Sequence, residues 1–365
     1  MKKNLIIFIP SIEDGGVEKN LFIFANYLSK KIDNIEIITC NNNYKSNFSK
    51  SIKFIGTKNS FWNNCNKKLK YIICLLILIK KLLLNKDKYL VFAFQANIYA
   101  IIISKIFNTK VVTRSNTSVS GWSNNIIKLF FYKFFLNLAD DIIVNSKLFK
   151  KEFSKKFNIK VKYIYNPFNK NLIKKKILNR KKINFFKKNT LNLLSVGRLT
   201  DQKDHLTLLK SMRMIDSKLR PRLIIIGKGK NLHKLKKYSK DYNMQKSIKF
   251  TGYLKNPYKY IESSQIIILT SKFEGLPNIL IESQFLKKYI ISTDCPTGPK
   301  EILLNGLAGD LIKIADSKKL AQLINNYYNN KKIIQKKISI GSKYLVRFDY
   351  KTNCKRYLDF VLNNF

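Results

Sequence analysis

Two carboxylates and two cations in the C-terminal half of the chain have the types and spacing to hold a charged, hydroxyl-rich molecule. Glu274 and Glu282 stand eight residues apart in Phe273-Glu274-Gly275-Leu276-Pro277-Asn278-Ile279-Leu280-Ile281-Glu282, and the segment Asp294-Cys295-Pro296-Thr297-Gly298-Pro299-Lys300-Glu301 follows. Arg198 and Lys203 come just after Ser195-Val196-Gly197. An ionised carboxylate only accepts hydrogen bonds, so it suits hydroxyl groups. Arg gives a planar fork of donors and Lys a point charge, and a fixed pair of them can neutralise a diphosphate without a metal ion. Eight residues of pure helix rise about 12 Å, comparable with the reach from a hexose across a diphosphate to a ribose.

Such residues need strands and helix ends to present them. Ser264-Gln265-Ile266-Ile267-Ile268-Leu269-Thr270 reads as a buried parallel strand, after which the chain turns at Glu274-Gly275. Pro277 suits a first helical turn because its missing N–H is an orphan there, and Ile279, Leu280, Ile281 and Phe285 supply an apolar surface, so a helix is expected from about Leu276. Its N-terminus favours an anion outside the carboxyl end of the strand, where open α/β sheets bind ligands. Leu191–Val196, Leu223–Ile226 and Ile248–Leu254 read as further strands of this half, the first leading into Gly197 and the second into Gly227-Lys228-Gly229.

The N-terminal half opens with the strand Leu5–Pro10, the glycine pair Gly15-Gly16 and a helical spacing of Leu21, Phe22, Ala25 and Leu28. Strands are expected at about Ile35–Thr39, Ile52–Ile55, Tyr89–Phe94, Lys110–Thr113, Asp141–Asn145 and Val161–Tyr165, separated mostly by helix-length segments, which predicts a doubly wound parallel sheet. Arg114-Ser115-Asn116 and Asn145-Ser146 sit at the carboxyl ends of two of these strands, the latter also reading as a plain helix N-cap. Asn166-Pro167 ends the first sheet. Residues 169–189, rich in Lys and Asn, read as an interdomain linker, and two amphipathic segments, Leu320–Phe348 and Lys351–Phe365, close the chain.

Glu274-Gly275-Leu276-Pro277 with Glu282-Ser283 resembles the C-terminal signature of the retaining GT-B glycosyltransferases of family four, and the resemblance covers nearly the whole chain. It implies two Rossmann-like doubly wound domains facing across a cleft: residues 1–168 on the acceptor side and 190–348 binding a nucleotide sugar. The final helix, about 349–365, would cross back to the first domain and bury Leu358, Val361, Leu362 and Phe365. It also implies roles: Arg198 and Lys203 on the diphosphate, Glu274 on the sugar, Glu282 on the ribose, and Gly197, Gly275, Leu276 and Pro277 around the donor. Tyr253 and Leu254 would lie where relatives' backbone grips the base. Gly15-Gly16, in a turn running from Glu13 to Glu18, resembles the family's glycine loop; Arg114 and Asn116 would serve the acceptor side. Many relatives place a histidine around residues 114–116, and this chain has none there.

The reading that follows is transfer of a hexose or N-acetylhexosamine from a nucleotide sugar, UDP being expected, to a glycan or lipid-linked glycan, with retention, in bacterial surface-polysaccharide or lipopolysaccharide assembly. A GT-B epimerase shares the fold and is the alternative. A nucleic-acid-binding protein is a second, raised by the charge: 70 basic residues against 22 acidic ones give +48 over 365 residues. The excess is spread over both halves, +28 up to residue 188 and +20 beyond it, and no zinc-finger or RNP-like pattern accompanies it. Lys, Asn, Ile, Tyr and Phe all have A/T-rich codons, so base composition also contributes. Five cysteines without a Cys-x-x-Cys pair fit a reducing cytoplasm, and two histidines make a His/Cys metal cluster implausible. No Asp-x-Asp is present, so no metal cofactor is expected. Tyr71–Leu84 is too short and too interrupted by Lys80-Lys81 for a membrane span. The segment Ile126–Leu136, aromatic and basic, reads either as a helix lying on an anionic membrane, at the inner face of the cell membrane, or as a core-facing helix.

Overall fold

A computed structural model describes residues 2–13, 15–57, 62, 65–84, 88–123, 125–177 and 183–365. The chain divides into one unit formed by Met1–Pro167 with Tyr350–Phe365 and a second formed by Phe168–Asp349.

The first unit carries β1 (Asn4–Phe8), β2 (Asn34–Ile38), β3 (Lys53–Ile55), β4 (Tyr89–Ala93), β5 (Lys110–Ser115), β6 (Asp141–Val144) and β7 (Lys162–Tyr163). They pair in the order β3-β2-β1-β4-β5-β6-β7, every pair parallel. Strand β1 is buried on both faces, as a near-continuous run of Leu, Ile and Phe requires. Leu5 and Ile7 point to one core and Ile6 and Phe8 to the other. The first core is covered by α1 (Gly16–Leu28) and α14 (Tyr350–Leu362), which buries Cys354, Tyr357, Leu358 and Val361 there; Leu362 and Phe365 are half-buried. The second is covered by α2 (Lys67–Leu84), α3 (Asn97–Ile106), α4 (Ile126–Asn137) and α5 (Lys147–Phe157).

The second unit repeats the plan. Its strands β8 (Asn192–Val196), β9 (Arg222–Ile226), β10 (Ile248–Gly252), β11 (Ile266–Leu269), β12 (Tyr289–Thr293) and β13 (Asp310–Ile312) pair in parallel as β10-β9-β8-β11-β12-β13. The strand order reverses between β8 and β11, which makes the carboxyl ends of these two strands the topological switch point.

Several expectations are adjusted. The helix after Glu274, α10, runs over Asn278–Phe285 with Pro277 as its N-cap, two residues later than Leu276. The one Thr297 hydroxyl hydrogen is shared between the carbonyls of Glu274 (2.8 Å) and Gly275 (3.0 Å), the second being the carbonyl that a helix starting at Leu276 would have needed. Glu274 to Glu282 is therefore not one helix, and the 12 Å rise does not apply. Strands β12 and β13 have no counterpart in the sequence reading. The segment Leu320–Phe348 is broken into α12 (Ser317–Asn325), α13 (Lys331–Lys343) and a 3₁₀ turn at Tyr344–Phe348, with Asn326 and Asn330, weak helix formers, at the break. Within residues 169–189, α6 (Lys170–Ile177) belongs to the second unit and Lys176 O accepts from Asn256 Nδ2 at 2.8 Å; residues 178–182 lie outside the described ones.

Candidate active site

At the β8/β11 switch point, two loops are laced together by side-chain and backbone hydrogen bonds. Thr270 Oγ1 donates to Lys203 O (3.0 Å), Lys272 N to Gln202 O (2.8 Å) and Gln202 Nε2 to Phe273 O (2.9 Å). The lacing brings residues 71 positions apart into contact: Lys203 Nζ pairs with Glu274 Oε1, which also accepts from Ser271 Oγ at 2.6 Å. Both side chains are largely buried, 14% exposed for Lys203 and 8% for Glu274. Lys203 reaches this position by folding its methylenes over Gly197, where a Cβ would lie 3.4 Å from them. Arg198 is exposed on the same loop.

Glycine is obligatory where the backbones touch. A Cβ on Gly298 would fall 1.8 Å from Gly275 O, so the start of α11 (Gly298–Ile302) is pressed against the turn holding Glu274. On the other side of β8, a Cβ on Gly227 would lie 1.9 Å from Gly197 O. Gly275, Leu276 and Pro277 are buried in this layer, and α10 starts directly behind them with no side-chain cap. A helix start of this kind, beside two cations at the carboxyl end of a parallel sheet, favours an anion.

Glu282 lies one turn into α10, buried, and accepts from Tyr258 Oη at 3.1 Å. Burial, and next the Glu282 charge, push the Tyr258 phenol well above its ordinary range, so it remains a donor. Cys295 is buried beside Glu274; burial and that carboxylate push its thiol up to about 12. His205, at the start of α7 (His205–Met212), is buried behind Lys203, and burial followed by the Lys203 charge lowers it to about 3, which leaves a neutral imidazole. Tyr253 and Leu254 follow β10; Tyr253 is exposed, with Lys228 Nζ 5.6 Å from its ring centre.

The remaining expected residues lie in the first unit. Gly15 is the N-cap of α1, and the Glu18 carboxylate occupies the space a Cβ would need there, 2.6 Å away; Asp14 in the same turn lies outside the described residues. Arg114, expected on the acceptor side, has its guanidinium turned into the core. It is 1% exposed, and its guanidinium donates to Tyr357 Oη (2.8 Å), Asn166 Oδ1 (2.7 Å) and Asn116 Oδ1, with the Phe94 and Tyr357 rings alongside. The side chain of Asn116 is used in the same network, its Nδ2 donating to Phe94 O at 3.2 Å. Arg114 points inward because β5 is an interior strand and α14 covers that face. Asn145-Ser146 caps α5, Ser146 Oγ accepting from Phe149 N at 3.0 Å.

The sequence reading missed Gln202, Ser271, Thr297 and Tyr258. The one available signal was their position at strand ends or helix starts; polar residues of this kind are common, and only the fold shows which carbonyl or carboxylate each one meets.

Residues 176–343, which include all of these second-unit contacts, match the profile of the glycosyl transferases group 1 family. Over just under half of its length, most of the second unit, the chain carries that family's profile. It is similar to an uncharacterized glycosyltransferase of Methanocaldococcus jannaschii, 35% identical over 220 residues that cover 56% of this chain and 53% of that protein. It therefore spans about half the length of that relative. A longer match, 27% identical and covering 91% of this chain and 92% of the relative, is to the N-acetylgalactosamine-N,N'-diacetylbacillosaminyl-diphospho-undecaprenol 4-alpha-N-acetylgalactosaminyltransferase of Campylobacter jejuni. Among solved structures, the Anabaena protein HepE in complex with UDP superposes with a TM-score of 0.78 at 16% identity, covering 99% of this chain and 100% of that one. The two parallel-sheet α/β domains are those of the GT-B fold.

Proposed function

We propose that this protein is a group 1 glycosyl transferase that moves a hexose or N-acetylhexosamine from a UDP-sugar to a glycan or lipid-linked glycan, with retention, in surface-polysaccharide or lipopolysaccharide assembly. The observation that carries the reading is the Lys203–Glu274 pair at the β8/β11 switch point, ahead of α10. Further support comes from the relative named for transfer to a diphospho-undecaprenol-linked acceptor and from the UDP bound by HepE.

An ammonium has three N–H donors, so Lys203 can keep its bond to Glu274 while another N–H meets a phosphate oxygen. As the glycosidic C–O bond breaks, charge grows on the departing diphosphate. Arg198, Lys203 and the start of α10 stabilise it, and the departing oxygen accepts the acceptor's proton. Glu274, held by Ser271 and Lys203, accepts from sugar hydroxyls and favours positive charge at the anomeric carbon. Glu282, held by Tyr258, accepts from the ribose. With the leaving charge met by fixed cations, the reaction proceeds without a divalent metal.

A lipid-borne acceptor sets the reaction at a membrane surface, and peripheral contact with an anionic leaflet on the cytoplasmic side is part of this reading. Among the described residues, no helix is long and apolar enough to cross a membrane.

The test is a panel of UDP-hexoses and UDP-N-acetylhexosamines with glycan and polyprenyl-diphosphate-linked acceptors, scored by product mass with and without chelator. One donor should add a single sugar mass, unaffected by chelator. Isomerised donor without acceptor would favour the epimerase; activity abolished by chelator and restored by magnesium or manganese would refute metal independence.

A further inference from the structure

Two buried cysteines of the first unit meet. Cys40, just beyond β2, and Cys74, on α2, are both 0% exposed, and their sulfurs lie 3.4 Å apart. Polar groups reach this contact: Cys40 Sγ is 3.7 Å from Lys70 O, Cys74 Sγ is 3.9 Å from Pro10 O, and the buried Lys70 ammonium donates to Asn41 Oδ1, beside Cys40, at 3.5 Å. The hydrogen bond from Cys74, with the Lys70 charge adding to it, outweighs burial and holds the Cys40 thiol below its ordinary range. Cys295, under burial and the Glu274 charge, is pushed the other way. Cysteines that only fill space as small apolar groups need neither a sulfur contact nor a buried cation.

The pair sits under the loop that follows β1. Cys40 N donates to Pro10 O (3.1 Å) and Asn41 Oδ1 accepts from Ile12 N (3.0 Å), so the residues at the sulfur hold this loop from one side. Gln95 Oε1, accepting from Ser11 N at 3.2 Å, holds it from the other. The loop leads to Gly15, the N-cap of α1. Strand order in this sheet reverses between β1 and β4, so the loop stands at the first unit's own switch point.

We infer that Cys40 and Cys74 close to a reversible disulfide on exposure to hydrogen peroxide, a modification that pins the loop after β1 to α2. The Cys40 thiolate attacks one peroxide oxygen, the O–O bond breaks and hydroxide leaves, which gives a sulfenic acid. The Cys74 sulfur then attacks the Cys40 sulfur, the S–O bond breaks, and the hydroxyl departs with the Cys74 proton as water. The first hydroxide takes the proton that Cys40 gave up, so two thiols and one peroxide become one disulfide and two waters. Because the second thiol is already in contact, disulfide formation outruns further oxidation of Cys40. Burial makes local opening the slow step and selects a small oxidant.

The test treats the reduced full chain with hydrogen peroxide, blocks the remaining thiols with iodoacetamide in denaturant, and reads intact mass, peptide map, melting temperature and amide exchange. Wild type should lose two free thiols, yield a peptide joining Cys40 to Cys74, and recover both thiols in dithiothreitol. The cross-link closes a chain loop 34 positions long, so oxidation should raise the melting temperature by about 5 °C. It should also slow exchange at residues 11–13 at least about five-fold, with the amides of β8 unchanged. Cys40→Ala and Cys74→Ala should each abolish all three effects, whereas Cys65→Ala should retain them. No cross-link, a cross-link through Cys65, sulfinic acid on Cys40 beside a free Cys74, or a cross-link that leaves melting temperature and exchange unchanged would overturn the inference. No readout uses sugar transfer, so the transferase reading stands or falls separately.

Discussion

The Lys203 ammonium lies against the Glu274 carboxylate, on the far side of the sheet's reversal in strand order, and Ser271 Oγ donates to the same carboxylate oxygen at 2.6 Å. Breaking such a pair from one side leaves a largely buried charge uncompensated. Lys203→Ala should cost about 3 kcal/mol of stability in urea unfolding, whereas Lys203→Met combined with Glu274→Gln should cost less than the two single changes added. Simple additivity would mean that the two groups do not interact in solution.

Turnover should separate the two glutamates. Glu274→Gln keeps the shape and the Ser271 contact while removing the charge, so turnover should fall about a hundred-fold or more with little loss of UDP affinity by calorimetry. Glu282→Gln and Tyr258→Phe should instead weaken UDP, the second several-fold, because the phenol holds the carboxylate in place. Equal loss of UDP binding across all three variants would remove the division of roles.

His205 gives a pH signature. Its folded value, about 3, lies below its ordinary 6.5, so between these limits the unfolded chain binds the additional proton. Stability therefore falls as pH drops below about 6.5, by about 1.4 kcal/mol per pH unit for this one group. His205→Gln should flatten the acid limb of a urea-midpoint-versus-pH curve; an unchanged slope would mean that the imidazole is not buried neutral.

Arg114 should act on stability. Arg114→Ala deletes three hydrogen bonds from a buried guanidinium and should cost about 3 kcal/mol or more, and Tyr357→Phe about 1–2 kcal/mol. UDP affinity should not change in either, since UDP is assigned to the second unit. A stable Arg114→Ala protein with a raised acceptor KM would return this residue to the acceptor side.

Periodicity alone carried much of the fold. Runs such as Leu5–Phe8 and Ile266–Leu269 are apolar on both faces, a pattern that fits the inside of a parallel sheet, and their alternation with helix-length segments set the doubly wound plan. The positions of Gly197, Arg198, Lys203 and Glu274 after strands were legible for the same reason. Strands β12 and β13 were not: Leu286-Lys287-Lys288, without Gly, Pro or Asn, hides the break between α10 and β12, and β13 has only three residues. What each polar residue meets was decided in three dimensions. Arg114 and Arg198 both follow or end a strand in sequence, yet β5 is covered by a helix arriving from the far end of the chain, and its arginine is sealed against Tyr357. Lys203 and Glu274 became partners through the crossover that sets β8 beside β11, a pairing between strands far apart in the chain that no local spacing encodes.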